Sequence, residues 1–356
     1  MYISYLEITN FRNLTRTQVH LSPQFNILYG HNGSGKTSFL EAIHYLARAK
    51  SFRTHLANRI IQRDADYLAV FGQLQKESQL IPMGIQRFSH GQQLIHLNKQ
   101  PIISITEISR TVPLQLIHPE SHRLLTDGPK LRRQFIDWGM FHVEPSFLPV
   151  WKRAQQAIKQ RNAALRALQS EQQIQLWDKE LVAAANVLHQ LRKNYMTKLI
   201  PIAQDMIKIM LDHPIQLRYY PGWPENKGLG QVLQDAFPID QQFGYTRIGP
   251  HRADLKATLH AMPAHDALSQ GQQKLLIYAL HLAQGQLLSQ LLGQTPLYLI
   301  DDLPAELDKD KRQIVARILQ TLEAQVFITG TELKELQDLL PKKPSVSMFH
   351  VEQGRI

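Results

Sequence analysis

"YGHNGSGKT", residues 29–37, decides the fold. It follows the apolar run Phe25 to Leu28 and precedes "SFLEAIHYLA", residues 38–47, whose apolar spacing predicts an amphipathic helix. The stretch fits G-x-x-x-x-G-K-[ST], with Gly30, Gly35, Lys36 and Thr37 in the fixed places between a strand and a helix. Glycines let the backbone curl so that successive N–H groups point inward at a β-phosphate, and the helix that follows adds its positive end. Gly30, His31, Asn32, Gly33, Ser34, Gly35, Lys36, Thr37 and Ser38 therefore form the candidate nucleotide-binding loop. Lys36 would neutralise phosphate oxygens of ATP, and Thr37 would ligate Mg²⁺.

A second segment supplies the acids such a loop needs. "PLYLIDDLPAELD" has a short apolar strand, Leu297 to Ile300, ending in Asp301 and Asp302. A Walker B element presents its carboxylates in this way. Asp301 would hold Mg²⁺ with Thr37, and Asp302 would stand where a base polarises the attacking water. Lys36, Asp301 and Asp302 are thus the candidate catalytic residues.

Between them in sequence lies "ALSQGQQKLLIYALHLAQ", in which Ser269 could simply cap the helix that follows. The ABC superfamily carries an LSxGQ signature at this place, shortly before Walker B. The resemblance implies that Ser269, Gly271 and Gln272 meet the γ-phosphate held by another subunit. Loop, signature and acid pair in this order resemble an ABC-type ATPase head.

The whole chain bounds what that head belongs to. Its 356 residues suffice for a sizeable core, with two lobes expected. No unbroken apolar run approaches the roughly eighteen residues of a membrane span, and the alternating start "MYISYLEITNF" lacks the pattern of a signal peptide. Zero cysteines exclude disulfides and thiolate sites, and fit a cytoplasmic protein with no membrane partner. Forty basic against thirty acidic residues give a net +10, which favours a polyanionic partner. The 16 histidines show no HExxH or paired spacing of a zinc site.

Strands dominate up to about residue 110, with "SHGQ" at residues 89–92 as a hairpin turn, and long helical segments run from about 120 to 211. Strands return after about 245. We therefore expect an α/β, ABC-type P-loop ATPase head with an inserted helical lobe: residues 1–115 and 245–356 as the ATPase lobe, and 116–244 as the helical lobe. Charge concentrates in the insertion. Residues 123–166 carry nine bases against Asp127, Asp137 and Glu144, a surplus of six that suits a phosphate-contacting face or a solvated helical one.

Two departures disfavour a transporter subunit. Such subunits usually have glutamate after the Walker B aspartate and a histidine after the next strand, where this chain has Asp302 and Thr329-Gly330-Thr331. Aspartate also reaches about 1.5 Å less far than glutamate, which leaves the base open. An ABC ATPase acting on protein complexes without DNA is the other alternative.

Nearly the whole chain resembles the RecF family, SMC-like ABC ATPases without a long coiled coil. "NFRNL" at 10–14, "SFRT" at 51–54, "HPESHRLLTDGPKLRRQFIDW" from His118, "QRNAAL" from Gln160 and "GPHRADL" from Gly249 carry the resemblance beside the ATPase motifs. It implies a cytoplasmic, slow, DNA-stimulated ATPase that forms an ATP-dependent homodimer on double-stranded and gapped DNA. It further implies action with RecO and RecR in loading RecA, replication recovery and the SOS response. Arg53, Lys130, Arg132, Arg133, Lys152, Arg153 and Arg161 are the candidate DNA contacts. Arg12, in "NFR", could touch nucleotide phosphate or lie exposed in a loop. Glu306 and Asp308 could couple two ATP sites or cap a helix. His251 and Arg252 could link nucleotide and DNA surfaces or be structural, and Gln115 could sense the γ-phosphate or belong to a strand.

Overall fold

A computed structural model describes residues 1–337 and 345–356. The chain divides into two compact units, residues 1–121 with 288–356, and residues 122–287.

The first unit is built on two sheets. One is antiparallel and six-stranded, and runs from Leu14–His20 through Tyr2–Phe11, Tyr67–Lys76, Gln79–Phe88 and Gln93–Leu97 to Gln100–Pro101. Its strands alternate buried and exposed positions, as a sheet covered on one face does. The turn expected at 89–92 joins two of these strands, with Phe88 N–H donating to the Gln92 carbonyl at 2.9 Å. The other sheet is parallel, in the order Val346–His350, Phe25–Tyr29, Val326–Gly330, Leu297–Ile300, Leu114–Ile117. Its central strands read as unbroken buried runs, the mark of a sheet buried on both faces. Ligands of such sheets bind beyond the carboxyl ends of the strands, and both ATPase motifs leave from those ends.

Helices dominate the second unit. Phe147–Arg166 and the forty-residue Glu171–Met210 pack together, the latter opened by a capping box of Ser170 and Gln173. A three-stranded sheet, Met262–Pro263, Asp254–Leu259 and Gln216–Tyr220, completes it.

This sheet moves the boundaries expected from sequence. Asp254–Leu259 pairs with Gln216–Tyr220, so residues beyond 245 stay with the helical unit. The divisions fall at 121/122 and 287/288 instead of 115/116 and 244/245, and the signature segment lies in the second unit. The helix it opens, Gln270–Leu292, is long and apolar enough to cross a membrane, yet 67% of its most apolar window is buried inside the protein. It is a core helix.

Arg161 is the most consequential buried charge. Its side chain is fully buried, with Nε donating to Asp178 at 2.6 Å and Nη1 donating to Asp240 at 2.7 Å and to Thr246 Oγ1 at 3.0 Å. Burial pushes the Asp178 carboxyl upward while Arg161 draws it back. Removing the guanidinium would strand two carboxylates in the core. Arg161→Ala should therefore destabilise the protein by about 3–5 kcal/mol in urea unfolding. A loss below about 1 kcal/mol would contradict the role given to this cluster.

Candidate functional site

In the first unit, the strand Phe25–Tyr29 runs into the loop and the loop into the helix Lys36–Arg48. Glycine is required at position 30: its φ is +145°, and a Cβ would lie 2.2 Å from the Val351 carbonyl oxygen. The carboxyl-terminal segment braces the loop, with Val351 N–H donating to the Tyr29 carbonyl and Gly354 N–H to the Ser34 carbonyl, each at 2.8 Å. Asn13 Nδ2 donates to the Ser34 carbonyl at 3.2 Å and Asn13 Oδ1 accepts from Ser38 Oγ at 2.8 Å. His31, Asn32 and Gly33 form the exposed rim. Lys36 Nζ donates to the carbonyls of Gly30 at 2.7 Å and His31 at 2.9 Å, so the ammonium sits over the loop.

The acids arrive from the end of the strand Leu297–Ile300, one strand removed from Phe25–Tyr29 in the parallel sheet. Asp301 is buried, its main-chain N–H donating to the Ile117 carbonyl. The Thr37 hydroxyl reaches both Asp301 oxygens at 3.1 Å, and the Thr329 hydroxyl donates to Asp301 Oδ1 at 2.7 Å. Asp302 adopts a left-handed conformation, φ +55°, with its N–H donating to Thr329 Oγ1 at 2.8 Å. Burial and then the Asp301 charge raise the Asp302 carboxyl above the usual range, against the pull of Lys36. Burial likewise lowers the Lys36 ammonium, while Asp302 and Asp301 hold it up. Lys36, Thr37, Asp301 and Asp302 thus share one site. A cation over a glycine loop, a hydroxyl touching a carboxylate, and a half-buried second carboxylate fit a triphosphate with a divalent cation.

Arg12 is not aimed at this site. Its Nε and Nη2 form a fork to the fully buried Glu41 at 2.9 and 2.8 Å, and Nη1 donates to the Arg59 carbonyl at 2.9 Å. Glu41 also accepts from Ser51 Oγ and lies 3.6 Å from the half-exposed Arg53, so it ties "SFRT" to the phosphate-loop helix. Gln115 is buried within the strand Leu114–Ile117, in register with Tyr298. Asp308 caps the helix Lys309–Thr321 by accepting from the Lys311 N–H at 2.9 Å.

In the second unit, Ser269, Gln270 and Gly271 form an exposed helix start. Ser269 and Gln272 make a reciprocal cap, Gln272 Oε1 accepting from Ser269 N–H at 2.9 Å and Ser269 Oγ from Gln272 N–H at 3.4 Å. A Cβ on Gly271 would meet nothing within 4 Å, so the approach to this helix end is open.

The candidate DNA contacts separate into two groups. Arg161 is excluded by its burial. Arg132 forms a fork to Asp254 and donates to the carbonyls of Leu124, Leu125 and Asp127, and Arg133 donates to the Ala253 carbonyl. Both arginines hold the fold together. Lys130, Lys152 and Arg153 are exposed, Arg153 paired with Glu180. His251 has a structural role too: its Nε2 lies 2.9 Å from the Thr246 carbonyl, and burial pushes the ring down to about 4. Arg252 beside it is exposed.

Sequence reasoning missed Thr329. Its only signal was a threonine at the strand end where a transporter subunit keeps histidine.

The whole chain, residues 2–356, matches the RecF/RecN/SMC N-terminal domain family. It is 46% identical over 356 residues to the "DNA replication and repair protein RecF" of Coxiella burnetii (strain RSA 493 / Nine Mile phase I), covering 100% of this chain and 99% of that protein. The protein of the same name from Shewanella loihica (strain ATCC BAA-1088 / PV-4) is 42% identical over 357 residues, with the same coverage. Among solved structures, the recombination mediator protein RecF with ATP in the RecFOR pathway has a TM-score of 0.84 at 24% identity, covering 99% of this chain and 96% of that one. An SMC head bound to the C-winged helix domain of ScpA has 0.60 at 15%, covering 95% and 92%.

Proposed function

Because the chain belongs to the RecF/RecN/SMC N-terminal domain family, on its RecF branch, we propose that it is an ATP-driven, DNA-binding dimer of recombinational repair. The observation that carries this is the convergence of Lys36, Thr37, Asp301 and Asp302 at the carboxyl edge of one parallel sheet. Backbone N–H groups of the loop bind the phosphates of ATP, and Lys36 moves from the carbonyls of Gly30 and His31 onto phosphate oxygens. Thr37 and Asp301 would hold Mg²⁺, which neutralises phosphate charge. Asp302 orients water toward the γ-phosphorus and takes its proton as the bond to ADP breaks. Its raised proton affinity suits that task. The exposed start of the signature helix, Ser269 to Gly271, reaches the γ-phosphate on a second copy. Two copies then close on two nucleotides, and hydrolysis reopens them.

DNA is the polyanion. Lys152, Lys159 and Arg166 are exposed and recur every seven residues along Phe147–Arg166, about 10.5 Å apart on one face. Arg161, nine residues from Lys152, points to the opposite, buried face. This stripe replaces Arg132 and Arg133 as the phosphate-contacting surface. The names borne by its relatives support a role in DNA replication and repair; action at gapped DNA or single-strand/double-strand junctions, with RecO and RecR, in RecA loading, replication recovery and the SOS response is what the family resemblance adds to this reading. A slow, DNA-stimulated turnover in the cytoplasm is part of the same family reading.

Binding to duplex, single-stranded and gapped DNA, with and without ATP and Mg²⁺ and across a salt series, tests the reading. Affinity should require ATP and fall steeply with salt. Replacing Lys152, Lys159 and Arg166 together by Ala should lower the log–log slope by about 0.9 for each phosphate that is no longer neutralised. ATP-independent binding would contradict the clamp, and an unchanged slope would remove the stripe from the DNA surface.

A further inference from the structure

We infer that Thr329 is the positioning residue of the acid pair, one hydroxyl orienting the Asp301 carboxylate and fixing the backbone of Asp302. The inference rests on the ATPase reading above and extends it to a residue outside the motifs. The strand Val326–Gly330 lies between the strand that feeds the phosphate loop and the strand that carries the acids. Ile328 pairs with Ile300, so Thr329 is level with Asp301.

The hydroxyl's chemistry matches both partners. Its one proton goes to Asp301 Oδ1 at 2.7 Å, an acceptor only, and a lone pair takes the Asp302 N–H at 2.8 Å. Thr329 is 1% exposed, which leaves no solvent to replace either bond. Asp302 holds the left-handed region, which costs a non-glycine residue about 1–2 kcal/mol, and the bond to its N–H favours that turn. Thr37 also donates to Asp301, but as a metal ligand it would turn its oxygen lone pairs to the cation. Thr329 is then the donor that stays on the carboxylate throughout the cycle. Groups of this kind, touching a ligand and not the metal, typically change metal affinity or activity 10–100-fold when removed.

Thr329→Val keeps the shape and strand preference and removes only the hydroxyl, Thr329→Ser keeps the hydroxyl, and Thr329→Ala gives a second reading of its loss. In the full-length protein, ATP affinity in EDTA should stay within about twofold of wild type for all three. For Val and Ala, the Mg²⁺ concentration that half-maximally tightens nucleotide binding should rise about 10–100-fold, and kcat at saturating Mg²⁺ should fall by a similar factor. Serine should restore both to within about threefold. A general structural defect would weaken EDTA-state binding as well, and would overturn the inference. So would hydroxyl-free variants indistinguishable from wild type, or a serine variant as impaired as the valine one. A wild-type protein that binds no ATP would instead overturn the ATPase reading itself.

Discussion

Lys36→Ala should bind ATP at least about tenfold more weakly than the wild-type protein, because one to two charge-assisted hydrogen bonds of about 1.5–3 kcal/mol each are lost. The ammonium sits over the loop on the carbonyls of Gly30 and His31. Burial already disfavours its charge, and only Asp302 and Asp301 sustain it. A bound triphosphate supplies the counter-charge that this buried ammonium lacks in the loop alone. Without Lys36 only Mg²⁺ would stand between the phosphates and the Asp301 and Asp302 carboxylates. Titration with a fluorescent ATP analogue measures the loss. Affinity within about threefold of wild type would show that the backbone cradle alone carries binding.

Asp302→Asn should leave nucleotide affinity nearly intact and lower turnover by about 10²–10⁴-fold. Asparagine conserves shape, and it tolerates the left-handed backbone that Asp302 adopts. What it cannot do is accept a proton. Lysine acts on phosphate charge already present in the ground state, whereas the carboxylate acts on water during reaction, so the two variants should separate binding from kcat. Single-turnover hydrolysis measures the difference. Wild-type turnover would move the base elsewhere, with Glu306 the next residue to test.

That the loop and the acids would share one place was legible because each motif is local. Glycines at 30 and 35 before Lys36 and Thr37, and paired acids after an apolar strand, form recognisable patterns within a dozen residues. The surplus of charge between 123 and 166 was not legible in the same way. Arg161 finds Asp240 seventy-nine residues on, Arg132 finds Asp254, and Arg192 pairs with Asp137 across fifty-five residues. The net charge of a segment cannot see partners brought in by tertiary packing, so it places structural arginines on a DNA surface. Arg12 was hidden in the same way, its partner Glu41 being buried in the helix that the phosphate loop opens. The boundary at 245 moved because strand pairing, Asp254–Leu259 with Gln216–Tyr220, outranks a change in local texture. The role of Thr329 was not legible beyond its standing where a transporter keeps histidine, because only the register of the sheet sets it beside Asp301.

Two copies are expected to close on two nucleotides, the loop side of each site coming from one copy and the signature side from the other. Sedimentation velocity of the Asp302→Asn protein at micromolar concentration in saturating ATP and Mg²⁺, with nucleotide occupancy measured in parallel, tests this most directly. The expected result is a dimer holding two ATP molecules, which reverts to monomer when ATP is replaced by ADP. A fully occupied protein that remains monomeric, with or without DNA, would contradict the account.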